Sequence, residues 1–152
     1  NKTLMYVGKN KEVSEKDVQE VVGETKLETV FSLTDALKNK NPHKALQLLQ
    51  NQLDHGEEPI KILGTIAWQF RVIWEVKHYQ QRKIPSGQIA KAMGANPFVV
   101  EKALQHTKKF STQQLRRSYS QLTQADRSLK STSQDPVAVM QTLILGLTAN
   151  SH

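Results

Sequence analysis

The stretch EPIKILGTIAWQFRVIWEVKHYQQR, from Glu58 to Arg82, decides the fold, because its apolar residues recur at steps of three and four. This spacing places them on one side of an α-helix. The recurring positions are Ile60, Leu63, Ile66, Ala67, Phe70, Ile73 and Trp74. Ile62, Val72 and Val76 widen the apolar face, which predicts contact on two sides. We therefore expect a long helix over 58–82 that forms the central strut of a helical bundle.

Two shorter helices are predicted immediately before this strut. The first has its apolar positions within 30–37 and is broken by Asn41 and Pro42, since proline is favoured at the first position of the next helix. The second ends at Gly56. The short turn between the two helices predicts an antiparallel pair.

Helix starts are also evident after the strut. Ser86 is expected to cap a helix through Met93, and Pro97 opens the next one. Ser111 and Gln114 have the spacing of a capping box. A final apolar helix begins at Asp135-Pro136. No segment alternates with period two, so the sequence predicts an all-α, multi-helix bundle.

Composition excludes several classes of protein. The 152 residues suit one domain, or one domain with part of a neighbour, and 38% of them are hydrophobic. No run approaches the roughly 18 consecutive apolar residues of a membrane span, and no apolar signal segment follows Lys2. The absence of cysteine excludes disulfides and thiolate metal sites and fits a cytosolic compartment. Because Asn1 is not a translation start, we expect a piece of a longer protein.

Catalytic and metal-binding patterns are missing from the sequence. The five histidines form no HExxH motif, and each is expected to be a surface side chain. The glycines are isolated, so no phosphate-binding loop is present. Acidic pairs such as Glu57-Glu58 stand at a helix start, where they complement the helix dipole. We therefore predict no catalytic residue, no cofactor and no metal.

The charge is unevenly distributed along the chain. Residues 1–60 contain eight Lys/Arg and ten Asp/Glu, a balance of −2, whereas residues 61–152 contain thirteen and four, a balance of +9. A basic half of this kind attracts nucleic acid or an acidic partner, although a solvated lysine-rich surface has the same composition.

The stretch GQIAKAMGANPFVVEKAL, from Gly87 to Leu104, has the outline of a helix-turn-helix with Gly94 at its turn. A DNA-reading helix needs polar or basic side chains toward the base edges. Here Phe98, Val99 and Glu101 stand at the early outward positions. We therefore expect Phe98 and Val99 to be covered by the bundle. The alternative is a DNA-binding module whose candidate contacts are Lys102, Lys108 and Lys109.

The order of motifs resembles a known family. The run VFSLTDALKNKNPHKALQLLQNQLDHGEEPIKILGTIAWQFRVIWEVK, residues 30–77, looks like the start of the C-terminal domain of the delta subunit of the bacterial DNA polymerase III clamp loader. The matching positions are Phe31, Asp35, Ala36, Ala45, Leu46, Leu49, Gly56, Glu58, Pro59, Gln69, Phe70, Arg71 and Lys77. The resemblance continues through 89–91, 97–100, Ala125-Asp126, Lys130 and Asp135-Pro136.

The resemblance implies a noncatalytic role in DNA replication. It places the end of a small helical, AAA+-like lid domain at 1–28 and a C-terminal collar domain at 29–152. Delta subunits join the gamma/tau and delta-prime subunits of the loader in a circular collar, in the bacterial cytoplasm. They grip the sliding clamp through an N-terminal domain that this sequence does not contain. Opposing faces presented to two neighbours would explain the wide apolar face of the strut helix. Whether the basic half also contacts primer–template DNA, as the alternative interpretation requires, is left open by the sequence.

Five residues are candidates for contact with neighbouring subunits: Arg71, Trp74, Lys77, Asp126 and Lys130. Asp126 and Lys130 are four apart on one predicted helix, which lets them pair. The alternative for Arg71 is a side chain that extends along apolar surface to water. The alternative for the pair of Asp126 and Lys130 is a weak ion pair at the surface with no partner role. The sequence leaves both interpretations open.

Overall fold

The computed structural model describes residues 31–149, which fold as seven α-helices with no strand among them. The helices are α1 (31–38), α2 (Pro42–Asp54), α3 (Pro59–Gln81), α4 (Ser86–Met93), α5 (Pro97–Thr107), α6 (Thr112–Leu129) and α7 (Pro136–Ala149). The predicted all-α class is confirmed. The lid-type segment 1–28 predicted from the resemblance, and also His152, lie outside the described residues.

The helices start where side chains satisfy the free amides of the first turn. Asn41 accepts a hydrogen bond from the amide of Lys44, and Asn96 accepts one from the amide of Phe98. The predicted capping box of Ser111 and Gln114 is present at α6, with both reciprocal bonds. Each such cap contributes about 1 kcal/mol, so the starts of these helices are fixed by local sequence.

Of the two expectations about the ends of α4, the one for Gly94 is confirmed and the one for Ser86 is wrong. Gly94 ends α4 in the left-handed conformation, with φ of 67°, which a glycine adopts without steric cost. Ser86 does not cap α4, however. Pro85 occupies the capping position and Ser86 is the first helical residue, with no side-chain hydrogen bond to the first turn.

Helix α3 is the centre of the bundle, as its periodicity predicts. It contacts α4, α5, α6 and α7. Phe31 of α1 packs on Trp68 at 6.1 Å between ring centroids, and Phe110 packs on Phe70 at 5.4 Å. The predicted contact on two sides of the strut is therefore present, but helices of the same domain provide it. Because the domain itself covers the wide apolar face of α3, this face is not available for contact with neighbouring subunits.

The predicted apolar face of α3 needs two corrections. Ile60, assigned to the buried face, is 40% exposed, because it lies in the first turn at the end of the helix. Trp68, which the periodic pattern omits, is 3% exposed. It is buried because α1 lies across this position and contributes Phe31.

Two of the four isoleucines of α3 provide a test of this arrangement. Ile66 is 1% exposed and Ile60 is 40% exposed. We expect Ile66→Ala to lower the free energy of unfolding by about 2–5 kcal/mol, because it leaves a cavity in the core. The matched Ile60→Ala should cost about 1 kcal/mol or less. Urea denaturation followed by circular dichroism measures both, and equal losses would contradict the assignment of the core.

Candidate functional site

Three of the five candidate contact residues lie along α3. Trp74 is half-buried and packs edge-on against Tyr119 of α6, with 5.3 Å between ring centroids. Arg71 and Lys77 stand three residues before and after it, so they share its side of the helix. Both are also half-buried. The α3 stripe, as we call Arg71, Trp74 and Lys77, therefore combines an aromatic ring with two cations.

Lys77 has a contact within the domain. Its ammonium group donates a hydrogen bond to the carbonyl of Thr107 at 3.1 Å. Thr107 is the last residue of α5, where helix carbonyls lack intrahelical partners and the dipole is negative. Lys77 therefore stabilises the carboxyl end of α5. Part of the role of Lys77 is thus to stabilise its own domain, independently of any partner.

The other two candidates form the ion pair that their spacing predicts. Lys130 Nζ lies 3.0 Å from Asp126 Oδ2, and both side chains are solvent-accessible. A pair this exposed contributes at most about 1 kcal/mol to stability. Asp126 follows Tyr119 by seven residues, about 10 Å along α6 at a rise of about 1.5 Å per residue. The pair thus continues the side of α6 that meets Trp74.

The helix-turn-helix outline corresponds to α4 and α5, but two of its three early outward positions, Phe98 and Val99, are covered, whereas Glu101 is exposed. Val99 is buried, and Phe98 packs edge-on against Phe31 at 6.2 Å. The expectation that the bundle covers both side chains is confirmed. Lys102 lies over the Phe98 ring, with its Nζ 5.9 Å from the ring centroid. Lys108 and Lys109 are exposed just beyond the end of α5.

One histidine contradicts the expectation that all are surface residues. His106 is 1% exposed, and its Nε2 donates a hydrogen bond to Oδ1 of Asp35 at 2.7 Å. The contact joins α5 to α1 across 71 positions of sequence, which no local pattern signals. Burial lowers the pKa of His106 below its ordinary value of 6.5, and the hydrogen bond that His106 donates to Asp35 partly opposes this. His106 is therefore a neutral structural residue.

A groove that the sequence does not predict runs between α6 and α7. Its volume is about 460 Å³. Its lining residues are Gln121, Gln124, Ala125, Ser128, Gln134, Asp135, Ala138, Val139, Thr142, Leu143 and Gly146. The amide of Gln121 lies so close to Gly146 that a Cβ there would be 2.8 Å from its Nε2. Glycine therefore lets the two helices approach at this point.

Within the described part of the chain, no group of three His, Cys, Asp or Glu side chains is placed to hold a metal ion. None of the helices over 31–149 combines the length and the apolar character that crossing a lipid bilayer requires. The features that the described residues do offer are the α3 stripe, the exposed cations after α5 and the groove between α6 and α7.

The fold agrees with a known class of helical domain. Residues 27–147 match the sequence model of the DNA polymerase III delta subunit, C-terminal domain. Since this match covers most of the chain, the chain belongs to that family.

Two matches, one in sequence and one in structure, extend the comparison. The chain is 29% identical over 146 residues to DNA polymerase III subunit delta of Bacillus subtilis (strain 168), covering 96% of this chain and 42% of the relative. The solved structure of Bacillus subtilis DNA clamp loader delta protein (YqeN) aligns with a TM-score of 0.77 and 28% identity. That alignment covers 95% of this chain and 42% of the other. The chain thus spans less than half the length of both.

The buried His106 generates a prediction about acid stability. Because its pKa is lowered in the folded state, the unfolded chain binds more protons between the folded value and 6.5. The contribution of neutral His106 is therefore complete above pH 6.5 and is lost as the pH falls through the folded value. We expect His106→Gln to flatten the decline of the free energy of unfolding below pH 6.5.

The exposed His43 provides the control for this measurement. Urea denaturation at a series of pH values should give parallel curves for His43→Gln and the unchanged protein. A decline that stays equally steep in His106→Gln would show that other groups cause it.

Proposed function

We propose that this chain acts in DNA replication as the C-terminal part of a clamp-loader delta subunit. In this role it joins the gamma/tau and delta-prime subunits through a collar of helices and so supports loading of the sliding clamp onto primed DNA. The observation that carries the proposal is the family match over 27–147, together with a fold shared across 95% of the chain with a clamp loader delta protein. The segment 29–152 is the proposed collar domain.

The α3 stripe, with Asp126 and Lys130, is the proposed contact with one neighbouring subunit. Tryptophan and arginine are the residues that most often dominate the binding energy of protein interfaces. Trp74 already packs edge-on against Tyr119, and a side chain that is packed in the free domain loses less entropy on binding. The ion pair lies farther along α6 in an exposed position, which suits the polar rim of such an interface.

The proposed contact is tested by replacing Trp74. We expect Trp74→Ala to weaken the complex with one loader subunit at least ten-fold, since truncating a central aromatic residue removes a large buried contact. Tyr79→Ala, a change of another half-buried aromatic residue on the same helix, should have a smaller effect. Isothermal titration with each purified loader subunit measures both. Unchanged affinity of Trp74→Ala for all of them would exclude the α3 stripe from the contact.

The proposed role is noncatalytic. The sequence has no phosphate-binding loop, and the delta domain is proposed to act by assembly alone. We expect the purified chain to hydrolyse no ATP, with or without primed DNA, in a phosphate-release assay. Hydrolysis that persists through a second, independent purification would contradict this part of the proposal.

A second candidate function is contact with the phosphates of primer–template DNA. Residues 102–125 contain five Lys/Arg and no Asp/Glu, and Lys108 and Lys109 are exposed. Because Phe98 and Val99 are covered, reading of bases by the start of α5 is not favoured. The arrangement suits binding that does not depend on sequence, through the lysine charges.

Salt dependence tests this second candidate. If Lys108 and Lys109 each contact a phosphate, replacing both with Gln should lower the slope of log affinity against log salt by about two. The matched control replaces Lys44 and Lys61, which are exposed on α2 and α3. Fluorescence anisotropy with labelled primer–template DNA measures the slopes. Equal slopes for the two double variants would remove Lys108 and Lys109 from the contact.

A further inference from the structure

The outer face of α7 differs from the rest of the surface in carrying no charge. None of the fourteen residues of α7 is charged, although 23% of the whole chain is. Its solvent-facing positions include Ala138, Gln141, Thr142 and Ala149, with Leu145 50% exposed. Depletion of charge over a contiguous surface is the feature that distinguishes the centre of protein interfaces.

The groove between α6 and α7 continues this uncharged face. Among its lining residues only Asp135 is charged, and Asp135 Oδ2 accepts a hydrogen bond from the amide of Ala138 at the start of α7. The remaining polar groups are amides and hydroxyls, which both donate and accept hydrogen bonds. An occupant with a charge at its centre would lose hydration there, and the one opposite charge that the lining offers is the Asp135 carboxylate at the start of α7.

The rim of the groove is basic. Arg117 is exposed one turn before Gln121 on the same side of α6, and Arg127 is exposed three residues after Gln124. A partner that covers the groove would therefore gain from carboxylates at its edge. A second copy of this chain would instead bring together two chains of net charge +7, with the same arginines facing each other.

The groove and the α3 stripe lie on opposite sides of α6. With 3.6 residues per turn, Asp126 and Lys130 point away from Gln121 and Ser128. Both surfaces can therefore be covered at the same time by different partners. A subunit inside a ring needs two such surfaces, because it contacts a neighbour on each side.

We propose that the α6–α7 groove and the outer face of α7 bind a helix of a second neighbouring loader subunit. That helix has small, apolar or amide side chains at its centre and acidic residues at its edge. The inference rests on the proposed collar function and deepens it by assigning a second contact. Leu145 and Thr142 lie at the centre of this contact, and Arg117 lies at its rim.

The first experiment inserts a charge at exposed positions, so that the fold is retained. Thr142→Arg and Leu145→Arg are compared with Gln88→Arg, which adds the same charge at an exposed position of α4. Affinity for each purified gamma/tau-type and delta-prime-type subunit is measured by isothermal titration. We expect both α7 variants to bind one subunit at least ten-fold more weakly and Gln88→Arg to bind it normally. Thermal unfolding checks that all three remain folded.

The second experiment tests the rim. Arg117→Glu should slow association with the same subunit several-fold at low salt, and the effect should fade at high salt. Arg116→Glu is the matched control, because Arg116 is exposed on the adjacent side of α6. Equal effects of the two changes on the association rate would overturn the assignment of an acidic edge to the partner.

The outcomes separate this inference from the collar proposal. If the unchanged chain and both α7 variants bind loader subunits equally well, the groove assignment is wrong and the collar role stands. If the unchanged chain binds no loader subunit, the collar role fails, and this inference fails with it. If the unchanged chain self-associates in analytical ultracentrifugation and Thr142→Arg abolishes this, the occupant is a second copy, which also overturns the proposal.

Discussion

Burial of α3 on two sides is the constraint on which the rest of the structure depends. An amphipathic surface helix needs one covering layer, whereas α3 has buried residues around most of its circumference, including Ile62, Phe70 and Val76. Each large apolar side chain buried there contributes about 1.5–3 kcal/mol relative to exposure. The remaining helices are therefore arranged around α3. Phe31 of α1 packs on one part of it, and Phe110, just before α6, packs on another.

Buried polar contacts then determine how α1 is placed on this core. The hydroxyl of Thr34 donates to the side-chain carbonyl of Gln69, and Asp35 accepts from His106. Both contacts are between elements distant in sequence, and a shift of α1 would leave His106 as a buried group without its Asp35 partner and would take the Thr34 hydroxyl away from Gln69. Such a group costs about 1–3 kcal/mol, so the two contacts favour a single position of the helix. They explain why polar residues are tolerated inside a small core.

The surface that remains divides into parts with different chemistry. The α3 stripe combines a half-buried tryptophan with cations, the segment after α5 exposes lysines, and α7 has no charge at all. In the proposed collar, these parts would have separate tasks: one subunit contact, a contact with phosphates and a second subunit contact. Under this proposal one small domain has several functional surfaces, since each depends on the complementarity of a whole face.

The sequence by itself determined the helices and their order. Periodicity located α3, and capping residues such as Asn41, Ser111 and Asp135 marked helix starts, because these signals act within one or two turns of the chain. The spacing of Asp126 and Lys130 predicted their ion pair for the same reason. Only the tertiary structure decided that His106 and Trp68 are buried, that Ile60 is exposed and that Lys77 caps α5. Those outcomes, and the groove between α6 and α7, depend on how the helices are placed relative to one another. That placement follows from contacts between residues far apart in the chain.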